Sequence, residues 1–430
     1  MPIYYYPNVV QSNSTQLPPG AASVVTDGVV TSTSANGYAT ATITPKSNVV
    51  IITSGSNGLQ MDIGGGKTYV PSNTTRTLNV AANYAHTMTV IASGGAMSNS
   101  YSNNIMGYGG YYTTCAFGNN TFVTINNNSS SNCLYSTNNG STWALASMPY
   151  TAYWSCVTFG NGIFVAIAGA ASTHNYVATS PNGYTWTAYT NSSSTYWASL
   201  AFGTNLSNGA GTWVDIAGYS QSQLGGSSTN SASYSTNNGQ TWTASTLPST
   251  VYWTCIAYGN GIWMAIAGDG SSTNILATTS NGYTWTQYTN NLGSYYWQGL
   301  AYGDPNGVPT WVMSTTQNQN VSAYSINNGQ KWVSTNGMSQ SSYSGKSVFA
   351  AGYFINAYNN NNQGYSYILN GSWSNGWTTT GVSYQPSGIA YGNGFIVMSP
   401  NNNNQYATVV PMGAALPIAF GVYNGSSNTY

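Results

Sequence analysis

Three carboxylates, Asp215, Asp269 and Asp304, are all that the chain offers for acid–base work beyond residue 105, and each falls in a different repeat. Hydrolysis of a glycosidic bond uses two carboxyl groups about 5 to 9.5 Å apart. Three acids on three repeats would meet only on a shared axis. Asp304 opens a DPNG segment, where Asp is a turn former, and Asp269 starts a loop where Ala170 stands in a sister copy. Asp215, in TWVDIAG, replaces Ala166 and Ala265 of other repeats and is the odd acid on a strand. His86 and His174 lie in different modules, which leaves no metal cluster and no Cys–His pair. No Gly-rich phosphate loop links a strand to a helix. These residues predict no catalytic group, no metal site and no cofactor.

Binding is the chemistry that remains. Tyr-Trp pairs recur at Tyr153-Trp154, Tyr196-Trp197, Tyr252-Trp253 and Tyr296-Trp297, the last preceded by Tyr295. Aromatic faces beside amide-rich loops suit sugars, which offer C–H faces and hydroxyls. The candidate ligand residues are Tyr153, Tyr196, Trp197, Tyr252, Trp253, Tyr295, Tyr296 and Trp297. A Trp at one fixed place in every repeat is more often a packing wedge between repeats than a ligand platform, while the adjoining Tyr suits either role. Trp143, Trp186, Trp242, Trp285 and Trp332 are expected in the core.

The elements that must position these residues come from an internal duplication. The segment from Tyr234 to Asn290 repeats, 99 residues on, the text that starts at Tyr135. A fixed period is read first. Within each copy a phrase [AV]-x-[FY]-G precedes a hydrophobic run, with its Gly at 118, 160, 203, 259, 303 and 392, and a weaker copy at 352. Intervals of roughly 40 to 56 residues suit a four-stranded propeller blade. Asn-Gly between β-branched and aromatic runs signals a tight hairpin, because both turn residues need φ > 0. Each unit therefore reads as strands a, b, c and d, with tight a–b and c–d turns on one face. The longer b–c and d–a loops lie on the other, and their Tyr/Ser/Gly/Asn composition is that of adaptable binding loops.

The fold class expected is all-β: a seven-bladed β-propeller, with six blades as the alternative, preceded by a small β-sandwich-like domain. The domains are 1–105, ending in a linker, and 106–430, with C-terminal closing strands. The last unit lacks a Trp-bearing d strand, and the missing strand comes either from about 103–110 or from 417–423.

The c–d turns carry a family resemblance. Ser136 to Trp143, STNNGSTW, resembles the Asp-box S-x-D-x-G-x-T-W of sialidase-like (BNR) propellers, and it returns at Ser235 to Trp242 and Ser325 to Trp332 with Asn in the acidic place each time. In TSPNGYTW and TTSNGYTW, Pro181 and Ser280 stand where the acid would be. The resemblance covers about residues 111 to 411 and implies the fold. A sialidase-like activity would need an arginine cluster, a Tyr/Glu pair and an Asp acid, whereas the repeats contain neither Arg nor Glu.

Composition narrows the classes further. Five Lys and Arg balance five Asp, far below the quarter of residues that ordinary domains charge. With 41% hydrophobic residues the chain is not a disordered one. Arg76 is the single Arg, so there is no basic patch for nucleic acid and no polybasic membrane anchor. The N-terminal text MPIYYYPNVV has no signal-peptide pattern, and the longest apolar tract, Ala407 to Tyr423, is broken by Pro411 and Pro417. Cys156 and Cys255 occupy the same strand position two repeats apart, beyond bridging distance. Four reduced, mostly buried thiols are expected.

These features together look like a bacteriophage tail-fibre, receptor-binding or capsid-decorating protein. The expectation is a non-enzymatic virion surface protein made in the host cytoplasm. Residues 1–105 would contact other virion proteins, and the propeller would bind a host-surface glycan. Nucleic acid and membrane are not expected partners, and a homo-oligomer on the particle is. The alternatives are a sialidase-like glycosidase and a secreted adhesin or matrix protein.

Overall fold

The computed structural model describes 102–350 apart from 170–172, 220–225, 269–272, 305–307, 316–320 and 337–342. Outside that range it describes the backbone of the named strands and the turns at 352 and 393–394. Seven four-stranded antiparallel sheets follow one another along the chain. Their first strands are Thr114–Gly118, Trp154–Gly160, Trp197–Thr204, Trp253–Gly259, Trp297–Gly303, Tyr343–Ala350 and Pro386–Gly392. These strands line one central channel, which makes the molecule an all-β propeller.

The recurring [FY]-G phrase is what lets the sheets close on one another. A Cβ added to Gly118 would strike the ring of Phe159 in the next sheet. The same holds for Gly160 against Phe202, Gly203 against Tyr258, Gly259 against Tyr302 and Gly303 against Phe349. Gly392 meets Phe117 and completes the circle. The weaker copy of the phrase has its Gly at 352. Pairing of Ala350 with Tyr353 instead puts Ala350 in the glycine's place, and Gly352 serves the turn at φ +89°.

A second set of glycines works at the opposite end of the strands. Gly169, Gly218 and Gly268 donate their N–H to the carbonyls of Tyr153, Tyr196 and Tyr252 at 2.8–3.0 Å. Their missing Cβ atoms leave room for the backbones of Trp197, Trp253 and Trp297 in the following sheet.

The propeller closes with Ser102–Ile105, which pairs with Tyr406–Pro411 as the outer strand of the last sheet. The alternative segment pairs elsewhere. Ile418–Tyr423 lies between Pro2–Tyr5 and Ala22–Thr26 in a five-stranded sheet with Val49–Thr53 and Thr75–Asn79. The boundary expected at 105/106, with C-terminal strands closing the propeller, is therefore corrected in two ways. Four residues before 106 belong to the propeller, and the C-terminal strand belongs to an N-terminal sheet. Main-chain pairing decides both, and side-chain pattern does not distinguish one edge from another. A second five-stranded sheet orders Val29–Ala35, Tyr38–Thr44, His86–Ala92, Leu59–Ile63 and Gly66–Val70. The sandwich-like packing expected of 1–105 lies outside the described residues.

The register of the last sheet orients the whole molecule. Phe395 pairs with Pro411 beside the Asn393-Gly394 turn, and Ser102 pairs with Val409. The chain therefore enters before Ser102 and leaves after Pro411 on the face of the tight turns. The b–c and d–a loops occupy the opposite face.

Candidate functional site: the loop face

The tight-turn face is rigid. In the turn from Ser136 to Trp143, Gly140 N–H donates to Ser136 Oγ and Thr142 N–H to Asn138 Oδ1, both at 2.9 Å, while Asn138 Nδ2 donates to Thr142 Oγ1 at 2.8 Å. Asn139 sits at φ +60°. Asn237 and Asn327 repeat the pattern. The acidic place does not fall on Pro181 and Ser280. Those turns are one residue shorter, and Asn182 and Asn281 accept the N–H groups of Thr185 and Thr284 at 2.9 and 2.8 Å. Neighbouring sheets are tied across this face by Asn161 to Asn238, Asn260 to Asn328 and Asn393 to Asn139, at 2.7–2.9 Å. Short polar side chains satisfying left-handed turns leave little there for a ligand.

The predicted ligand residues divide by type. Trp197, Trp253 and Trp297 are fully buried between sheets, as is Trp154. The indole N–H of Trp154, Trp197 and Trp253 reaches back four residues to the carbonyls of Tyr150, Ser193 and Ser249 at 3.0–3.3 Å. They are packing wedges that close each d–a loop, and the ligand role expected of Trp197, Trp253 and Trp297 is corrected accordingly. Tyr153, Tyr196, Tyr252, Tyr295 and Tyr296 are half-buried on the loop face. Tyr252 packs edge-on against Tyr219, ring centroids 6.0 Å apart, and Tyr295 against Trp297 at 5.5 Å. Among the described residues these contacts do not join one predicted tyrosine to the next.

Sequence reasoning missed a tighter aromatic cluster on the same face. Tyr150, near the end of the strand Ala144–Ala152, stacks on Tyr176 of the next sheet with centroids 4.1 Å apart and planes at 12°. Tyr176 in turn stacks on His174 at 5.0 Å and 18°. All three are half-buried, and desolvation lowers the His174 pKa, which favours the neutral imidazole. The duplication supplies a control. Ninety-nine residues on, the same places hold Ser249, Ile275 and Thr273. The sister sheets fold without the stack, so packing alone does not demand it. That comparison was the signal available in the sequence.

Asp215 is fully buried and its pKa is raised by desolvation to about 8. Asn191 Nδ2 donates to Asp215 Oδ2, and Ser233 Oγ lies within hydrogen-bonding distance of both Asp215 Oδ1 and Asn191 Oδ1. One hydroxyl hydrogen cannot serve two acceptors. A protonated Asp215 removes the conflict: its O–H donates to Ser233, Ser233 donates to Asn191 Oδ1, and Asn191 Nδ2 donates back. The acid is held neutral inside a closed ring. Asp304 is buried as well, and Asp269 lies outside the described residues. All four cysteines are free, three of them buried. Desolvation raises the Cys115 and Cys133 thiols, the latter to about 12.

No protein-family model matches this chain and no curated protein matches it. Solved structures do. Virginiamycin B lyase from Staphylococcus aureus, in an inactive form with quinupristin, is 12% identical over 73% of this chain and 99% of its own, with a TM-score of 0.57. YCF48 from Cyanidioschyzon merolae is 12% identical over 72% and 98%, at 0.53. U3-55K is 7% identical over 74% and 100%, at 0.52. At such identities the likeness is one of fold, and the fold is a β-propeller.

Proposed function

We propose that this chain is a non-enzymatic bacteriophage virion surface protein, a fibre, receptor-binding or capsid-decorating component. Its strands before Ser102 fix it to the particle, and its propeller holds a host-surface glycan on the loop face. The observation that supports this reading most is the shared exit of both chain connections on the tight-turn face, opposite the b–c and d–a loops. The stack of Tyr150, Tyr176 and His174 offers apolar ring surface there, beside Tyr153 and Tyr196. The c–d turns are read as Asp-box turns with Asn in the acidic place, and no chemistry is assigned to them.

Two measurements test this. An antibody to the purified chain should label phage particles, and the chain should adsorb to host cells at high salt, since almost no charge is available to be screened. Periodate oxidation of the cell surface should abolish adsorption. Tyr176→Ala should weaken it about 5- to 150-fold, as for truncation of an aromatic anchor. Unlabelled particles, or adsorption indifferent to both periodate and Tyr176→Ala, would sink the proposal.

A further inference from the structure

The central channel, about 250 Å³ in volume, is lined by the first strands of all seven sheets. Counting back from the glycine that ends each strand, the third position carries Val157, Leu200, Ile256, Leu300 and Ile389 in five sheets, and the second is mostly Ala. Both rings line the channel, so its middle is apolar. Over these positions a strand rises roughly 10 Å.

The fourth position back is different. Thr114, Cys156, Ser199 and Cys255 stand there, then Gly299, Lys346 and Gly388 in consecutive sheets. Lys346 is thus flanked on both sides by residues without side chains. Its backbone is also out of step. In the sheets that begin with Trp154, Trp197, Trp253, Trp297 and Pro386, the β-bulge falls one residue earlier and the fourth position is paired in register. In the sixth sheet the bulge lies between Ser344 and Ser347 and contains Lys346 itself. Bulges re-aim side chains, and this one belongs to the single charged residue among the described residues that line the channel. Lys346 is half-buried, the channel lining holds no carboxylate, and no partner is found for its ammonium group among the described residues. A half-buried ammonium group beside apolar walls is a natural seat for an anion.

We infer that the channel is a binding site for a slender amphipathic monocarboxylate. The carboxylate sits on Lys346 toward the loop face, and an unbranched apolar chain extends along the Val, Leu, Ile and Ala rings. The inference does not depend on the display reading, because no surface receptor enters it.

Calorimetric titration of the full chain with butanoate, hexanoate and octanoate tests the site, with octanol as the neutral control. Affinity should rise roughly fourfold per added methylene, and octanoate should raise Tm. Octanol should bind more weakly than octanoate. Lys346→Met should weaken octanoate roughly 10- to 100-fold, the worth of a charge-assisted hydrogen bond, and leave octanol unchanged, while Lys346→Arg should retain octanoate. Absence of octanoate binding at millimolar concentration overturns the inference. So does equal binding of octanoate and octanol by the wild-type chain, a reading that stands even if Lys346→Met does not fold. Equal octanoate affinity in wild type and folded Lys346→Met overturns it as well.

Discussion

Gly392 of the last sheet lies against the aromatic ring of Phe117 in the first, with no room for a Cβ between them. This contact shuts a circle that six earlier copies of the phrase have built step by step. In six steps a glycine at the end of one inner strand receives the ring of the next, and Ala350 holds the equivalent place in the seventh. Ala350 shows that one step accepts a methyl group.

The first prediction follows from that difference. Gly259→Ala, which would drive a methyl group into Tyr302, should cost about 1 to 3 kcal/mol, the usual range for overpacking a core. Ala350→Gly should cost about 1 kcal/mol or less, the backbone-entropy cost of glycine. Urea midpoints of the two variants check this, and equal costs would remove the girdle as the reason for the motif.

Asp215 sets a pH dependence in a chain with few titratable groups. The scarcity of charge predicts flat stability from pH 5 to 9 but for the contribution of this buried acid. Its folded pKa, about 8, lies well above the ordinary carboxylate range because burial desolvates the charged form. The stabilising proton is therefore bound in both states below about pH 4 and kept only by the folded chain above it. Stability should fall as pH rises from about 4 to about 8 and then level off. Asp215→Asn should abolish the slope. Denaturation midpoints from pH 4 to 9 decide, and a rising curve would contradict the neutral-acid ring.

Asn139 and Asn238 hold left-handed turns at φ +60° and +58° and accept hydrogen bonds from Asn393 and Asn161. Substitution of either by Ala should cost about 1 to 2 kcal/mol through the left-handed conformation alone. Adsorption to cells should be untouched, because these turns lie on the face opposite the loops. A loss of adsorption without a loss of stability would reverse the assignment of faces.

The thiols are free and mostly buried. Reducing agent should leave Tm unchanged, and Cys133 should resist alkylation at pH 8 until the chain is denatured, since its thiolate is scarce at that pH. Mass shifts after iodoacetamide, native against denatured, measure this. Rapid labelling of all four in the native chain would show the core to be open.

Much of the propeller is legible in the sequence because its signals are local. Asn-Gly turns, the [FY]-G phrase and the turn Trp residues each act within one hairpin or on the neighbouring sheet. The places where reading failed are those where neighbours in space are far apart in the chain. Nothing local distinguishes Ser102–Ile105 from Ile418–Tyr423 as the closing strand, since each is a short segment of four to six residues, although the first ends as an edge strand and the second is paired on both sides. The Tyr-Trp pairs carry an ambiguity of a different kind. Two adjacent residues on a strand point to opposite sides, so the Trp enters the inter-sheet core while the Tyr remains at the rim. The stack of Tyr150 on Tyr176 joins two sheets, and only the mismatch with Ser249 and Ile275 marks it in the text.

The placement of Ile418–Tyr423 between Pro2–Tyr5 and Ala22–Thr26 bears on biosynthesis. That five-stranded sheet has a vacant row between its first two strands in the chain that only residues made some four hundred positions later can fill. Ser102–Ile105 likewise waits for Tyr406–Pro411. Two units of the chain thus complete together, only once Tyr423 has been made, and a product terminated before Tyr406 would leave both with unpaired edges.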